Sequence, residues 1–408
     1  MRIKNSNTKV FISDIILNIL GTGFTAVIIQ FIVYPFLNKG TTLDNFGEII
    51  IMMTAVNIVG VLLGNSLNNI RLISAKEYNK EQINGDFSVI LFLASIVNII
   101  FMLIIINFLW SYQTNIEKIL LVLLSLFTML RGYLTVDYRL KLNYKKILQH
   151  SLVYSFALLI GSFAIFVTEI WQLVFLFGEI VSFVFLYKTT DLLKEPIKVS
   201  IKFKGTLKQY AMLSISSSIA NILSYLDRII ISALLGSHQV AIFFAATVIG
   251  KMSSFIMSPI SGVVLSYISN IDRKMTLKIF SILNFGILIF STIASIFTFY
   301  VSKYVLILLY PNYYSESLSI LFLANLGIIL FASCTLSQTI LLKYSPTYLQ
   351  IVIQISYGFV YLVSGILMIN LDGLMGFSIA ALIGSVFKFL LIFFIGMVTF
   401  RKKEVILL

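Results

Sequence analysis

Charge is what this sequence has least of. Aspartate, glutamate, lysine and arginine make up 12% of 408 residues, where a soluble chain carries about a quarter. That shortage, with 59% hydrophobic residues and a mean hydropathy of +0.99, leaves no room for a sizeable soluble domain. Cysteine is nearly absent too. Cys334 stands alone inside an apolar run, which excludes a disulfide framework and a thiolate metal cluster. The two histidines, His150 and His238, are isolated near the ends of apolar runs. No carboxylate or second ligand lies at a useful spacing from either, which argues against metal binding and histidine catalysis. The chain also lacks a Walker phosphate loop, a dinucleotide-binding glycine pattern, an HExxH and a GxSxG. No reaction and no cofactor is therefore assigned.

What is present is apolar helix, in twelve segments. They run near 11–37, 46–68, 87–109, 115–136, 150–168, 170–188, 208–235, 240–268, 278–300, 316–341, 347–370 and 373–399. The first follows Arg2, Lys4 and Lys9 and imitates a secretory signal, but it is too long and offers no small-residue cleavage site. It is read as a membrane span. Pro35 and Pro259 are expected to kink their spans, because proline removes a helical hydrogen bond. Gly60 and Gly64 form a GxxxG, a close-packing device more often than a site.

The basic residues set an orientation. Of 30 lysines and arginines, only Lys39, Lys118 and Lys303 fall in loops of one side, and Arg228, Lys251 and Lys388 fall inside spans. The other 24 lie at the termini and in the loops of the opposite side, most densely over Arg131 to Lys146 and Lys188 to Lys208. Positive residues stay inside, so both termini are expected in the cytoplasm. The net charge of +13 is thus a topology signal, and nucleic acid is not expected as a partner. The long basic loop divides the chain into residues 1–188, a linker over 189–207, and residues 208–408. An even number of spans per half makes any repeat parallel.

Polar residues recur inside the seventh and eighth segments. Ser214, Ser217, Asn221, Ser224, Arg228 and Ser232 repeat at spacings of three and four, as do Thr247, Lys251, Ser254, Ser258 and Ser261. Such spacing predicts one polar face per helix. At about 1.5 Å per residue, Lys251 lies roughly 16 Å from Val240, near the middle of a core about 30 Å thick. A charge there costs at least about 2.5–3.5 kcal/mol against lipid, so it is expected to face a polar cavity. Polar glue between packed helices is the alternative, and it suffices for the serines and Asn221. A faint repeat sets Asn57 of the second segment opposite Lys251, which makes segments 1, 2, 7 and 8 the expected cavity wall. Asp14, Glu179 and Asp227 are the ion-coupling candidates. For Asp227 an ion pair with Lys251 or Lys388 is the competing reading.

Tyr34-Pro35-Phe36-Leu37 and Asp44-Asn45-Phe46-Gly47-Glu48-Ile49 resemble the start of the bacterial Wzx-type polysaccharide-biosynthesis flippases. Tyr225-Leu226-Asp227-Arg228-Ile229-Ile230-Ile231-Ser232, then Leu234-Leu235-Gly236 and Ala245-Ala246, resemble the start of that family's second half. The likeness spans essentially the whole chain in length and span count, and its most specific parts are Phe46-Gly47 and Asp227-Arg228. It implies membership of the multidrug/oligosaccharidyl-lipid/polysaccharide exporter superfamily. The implied fold is an all-α polytopic membrane protein, about twelve transmembrane helices in two six-helix bundles around a central cavity, MATE/MurJ-like. A MurJ-like lipid II flippase usually has two further C-terminal helices, whereas this chain ends at Arg401-Lys402-Lys403 and five further residues.

The implied activity is movement of an undecaprenyl-diphosphate-linked oligosaccharide from the cytoplasmic to the periplasmic leaflet of the bacterial inner membrane, for O-antigen assembly. A polysaccharide polymerase and glycosyltransferases are the implied protein partners. Arg228, Lys251, Asn221, Ser224, Ser254, Asn57 and Lys388 are then the expected substrate-binding residues. A cation-coupled exporter of small molecules and a non-transporting membrane scaffold remain as alternatives.

Overall fold

The computed structural model describes residues 5–83, 85–110, 112–168, 170–270, 275–346 and 348–405. Helical side chains at 5–12, 14, 15, 43, 76, 216, 219, 220, 258, 259, 262–270 and 402–405 stand outside that description. Asp14, Ser258 and Pro259 are among them, so the expectations placed on those residues lie outside the described side chains. The described residues are mostly helical, with no strand among them. Among them ten helices are long and apolar enough to cross a membrane. Phe92, Phe101, Ile104 and Phe108 stand exposed along one of them, a burden in water and none in lipid. The molecule is a multi-pass helical membrane protein.

The chain forms two compact units, residues 1–42 with 48–225, and residues 43–47 with 226–408. In the first unit α1 (Asn5–Ile28) passes through a π turn, Ile29–Val33, into α2 (Tyr34–Gly40). The π turn immediately precedes Pro35, whose ring displaces the carbonyl one turn back. A second π turn, Asn57–Val61, joins α3 (Leu43–Val56) to α4 (Leu62–Lys80). Beside it α4 packs on α6 (Asn115–Leu134). A Cβ on Gly60 would lie 2.7 Å from the Ser125 carbonyl oxygen, and one on Gly64 would lie 2.4 Å from that of Met129. The GxxxG is thus a close-packing device. α6 itself starts on a capping box between Thr114 and Glu117.

After α5 (Asp86–Leu109) and α6, the unit adds the short α7 (Val136–Leu140), α8 (Tyr144–Ser162), α9 (Ile165–Thr168) and α10 (Gln172–Thr189). The basic connector that follows is strapped down. Asp86, fully buried, accepts from the backbone N–H of Ser200 at 2.6 Å, from its hydroxyl at 2.5 Å and from the Tyr78 hydroxyl at 2.8 Å. Arg71 pairs with Glu195, and Lys202 pairs with Glu77 and Glu81. Gly85 takes φ 111°, open to glycine alone, and lies against Pro196 and Lys198. α11 (Phe203–Ser224) then packs on α4, its Tyr210 hydroxyl donating to the Leu63 carbonyl at 3.3 Å.

The single span expected over 208–235 is broken. α11 stops at Ser224, Tyr225 leaves helical geometry at φ −114° and ψ 9°, and α12 begins afresh as Leu226–Leu235. The face from Ser214 to Ser232 is therefore not continuous. Ser214, Ser217, Asn221 and Ser224 belong to the first unit, Arg228 and Ser232 to the second.

The second unit holds α12, α13 (Ser237–Asn270), α14 (Leu277–Leu309), α15 (Tyr314–Tyr344) and α16 (Tyr348–Val405). Phe46, from the first turn of α3, is fully buried here among Phe244, Tyr310 and Tyr313. Beside it Gly47 meets the Ser237 carbonyl where a Cβ would lie 1.9 Å away. α13 packs tightly on α15, and Asn325 donates to the Ala246 carbonyl at 2.8 Å. α16 is two spans folded at Asp372 and Gly373, the latter at φ 51°, where the sequence separates its last two segments.

Candidate functional site

Asp227 stands in the first turn of α12, where a carboxylate is favoured by the helix dipole. It takes the Lys251 ammonium from α13 at 2.6 Å, with side-chain exposures of 8% and 26%. Its second oxygen is buried and makes no hydrogen bond among the described residues. Arg228 is buried beside it, its guanidinium 5.6 Å from the Phe244 ring centre. Lys251 lies 5.8 Å from that of Phe243. The structure thus brings Asp227, Arg228 and Lys251 together against two rings of α13. Breaking such a pair from one side costs about 3–5 kcal/mol, because the other charge stays buried.

Lys388 lies in the same unit. It is 1% exposed, with its ammonium 3.8 Å from the Phe331 ring centre and 5.5 Å from that of Tyr357. Tyr357 stacks on Tyr361 at 5.6 Å. Among the described residues Lys388 makes no ion pair with Asp227, whose partner is Lys251.

The remaining candidates are scattered. Asn57 opens the second π turn, half-buried, in the first unit. Asn221 turns its amide back to the Ser217 carbonyl at 2.9 Å. Ser224 is exposed at the end of α11, and Ser254 is exposed on α13.

Glu179 is the centre of a separate buried cluster in the first unit. At 2% exposure on α10, it accepts from the Arg131 Nε at 3.0 and 2.8 Å, from the Thr128 hydroxyl at 3.1 Å and from the Tyr154 hydroxyl at 3.0 Å. The Arg131 guanidinium lies over the Tyr154 ring at 4.5 Å. His150 bonds the Ser182 hydroxyl at 2.7 Å and stacks on Tyr154. Sequence reasoning assigned Arg131 to a basic loop, yet it lies inside α6. The missed signal was present. Arg131 falls within the apolar segment 115–136, one helical turn after Thr128, and a carboxylate as deep as Glu179 needs a cation. His150, expected to be isolated, is buried within this cluster. His238 stands 3.6 Å from Asp44 and 3.5 Å from Glu316 in the second unit.

No family model and no curated protein sequence matches this chain. Solved structures do. The inward closed conformation of the lipid II flippase MurJ matches with a TM-score of 0.73 at 18% identity, over 93% of this chain and 87% of that one. An inward-facing multidrug resistance MATE family transporter of the MOP superfamily matches with a TM-score of 0.72 at 11% identity, over 95% and 99%. A Vibrio cholerae MATE transporter matches with a TM-score of 0.64 at 14% identity, over 98% and 97%. The chain has the fold that these transporters share.

Proposed function

We propose that the protein is a flippase that moves an undecaprenyl-diphosphate-linked oligosaccharide from the cytoplasmic to the periplasmic leaflet of a bacterial inner membrane. Alternating access is the mechanism, and surface polysaccharide of the O-antigen kind is the destination. Both termini are cytoplasmic in this reading, and a polymerase and glycosyltransferases are the partners. The observation that carries it is the pair of Lys251 with the buried Asp227, with the buried Arg228 beside it, in helices that are mostly apolar. Such charges are costly in a bilayer and mark a pathway by default. The MurJ-like fold and the Wzx-like motifs point to a lipid-linked cargo. A diphosphate diester carries two negative charges, and arginine offers it a bidentate fork where lysine offers a point charge.

A specific observation favours the second reading, a cation-coupled exporter of small molecules. Each of two half-buried cations holds its own buried carboxylate, Lys251 with Asp227 and Arg131 with Glu179. In that reading Asp227, Glu179 and Asp14 couple transport to an ion gradient. If Glu179→Gln transports with unchanged dependence on proton or sodium gradients, Glu179 is not the coupling site.

The two readings separate in a leaflet-resolved assay of lipid-linked glycan in cells. Lys251→Arg is expected to keep partial export and Lys251→Ala to lose it when equal amounts of protein in the membrane are compared. Arg228→Lys is expected to be impaired more than Lys251→Arg, because the fork is lost. Full export by Arg228→Lys and Lys251→Ala alike would contradict the flippase assignment of these residues.

A further inference from the structure

Arg131 uses only one edge of its guanidinium inside the protein. Its Nε meets both Glu179 oxygens, and its plane lies on the Tyr154 ring. Among the described residues neither Nη group makes a hydrogen bond. The side chain is 26% exposed while Glu179 beneath it is 2% exposed. Arginine–carboxylate pairs frequently turn the fork itself onto the carboxylate, two parallel N–H bonds to two oxygens. Here the fork is turned away, and the group is held rigid from behind by a carboxylate and a ring.

The charge balance points the same way. Glu179 also accepts from the Thr128 and Tyr154 hydroxyls, so its negative charge is shared among several donors. The groups facing it are Thr128 and Arg131 from α6 and Tyr154 from α8, with His150 one turn from Tyr154 and bonded to Ser182 of α10 itself. No second carboxylate closes over the Nη edge among the described residues. Arg131 lies about 24 Å along α6 from Asn115, within the span and close to its far end. A lipid headgroup phosphate lies just beyond such a depth, toward the end to which a long arginine side chain can reach.

We propose that the open Nη edge of Arg131 is an anion site in the N-terminal unit, taking a phosphate or diphosphate group carried on a lipid. The fork donates to two phosphate oxygens, and Glu179 and Tyr154 position it. The inference rests on the lipid-linked cargo reading for the identity of the diphosphate, and on the geometry of Arg131 for the site.

The test is direct binding by the full-length protein in phosphatidylcholine nanodiscs, titrated with farnesyl diphosphate. A second arm replaces part of the phosphatidylcholine with phosphatidylglycerol and reads retained lipid by native mass spectrometry. Arg131→Gln with Glu179→Gln removes both charges, so no lone charge is left buried. This double variant is expected to bind farnesyl diphosphate about tenfold more weakly. Arg131→Lys, which keeps the charge and loses the fork, should fall between wild type and the double variant, and it decides the matter if the double variant does not fold. Retention of phosphatidylglycerol in place of farnesyl diphosphate, lost with Arg131, supports the site and assigns it to a bulk headgroup. Wild-type affinity in both Arg131 variants overturns the inference. If Arg228→Ala with Lys251→Ala has meanwhile lost binding, the cargo reading stands without it. Absence of binding by the wild type in both arms overturns both.

Discussion

At the scale of single residues, magnitudes decide what each buried cation is for. Lys388 gains about 2 kcal/mol from the rings of Phe331 and Tyr357. Desolvating its ammonium costs several kcal/mol, so the charge is a net burden on the fold. Lys388→Met is therefore expected to raise the thermal midpoint, read by differential scanning fluorimetry. A lower midpoint would make Lys388 a packing residue and remove it from the cargo candidates. Lys251 behaves in the opposite sense, since Lys251→Ala strands Asp227 and should lose about 3–5 kcal/mol. Much of this was legible in the sequence. The depth of Lys251 follows from helical rise, and the cost of charge in lipid calls for an ion pair with Asp227, whose cation the sequence left open between Lys251 and Lys388. The role of Arg131 was missed although its place inside an apolar segment was legible, because counting basic residues toward the inner side credits any arginine near a helix end to the loop. Only a contact across helices, to Glu179, reveals that it turns inward.

At the scale of elements, the boundary that mattered was written in a weak signal. Tyr225 is no helix breaker by type, and 208–235 reads as one apolar run. The break comes from tertiary packing, which commits α11 to the first unit and α12 to the second. By contrast, Asp372-Gly373 and Gly60 with Gly64 were legible, because glycine at such positions has few other uses. The connector over 190–202 is the element most unlike its sequence expectation. Charge and Pro196 suggest a loose linker, yet Asp86 and Arg71 pin it. Asp86→Ala removes three hydrogen bonds to a buried charge, worth a few kcal/mol together. Trypsin should then cut at Lys198 or Lys202 at least several times faster than in the wild type. Unchanged cleavage would mean that the strap holds without Asp86.

At the scale of the whole molecule, composition settled the class, and the fold match agrees with it over more than nine-tenths of the chain. Orientation follows from the loop asymmetry of basic residues, and reporter fusions at Thr114 and Leu408 are expected to report opposite sides of the membrane. Reports from the same side would overturn the span count of the first half. The central claim is that buried cations carry a lipid-linked diphosphate across the bilayer. It is tested most directly in proteoliposomes loaded with a fluorescent undecaprenyl-diphosphate-linked oligosaccharide, by the rate at which a dithionite-sensitive label changes leaflet. The wild type is expected to exchange label between leaflets, and Arg228→Ala with Lys251→Ala to fall to the rate of protein-free vesicles at equal reconstitution. Wild-type exchange by that double variant would contradict the account.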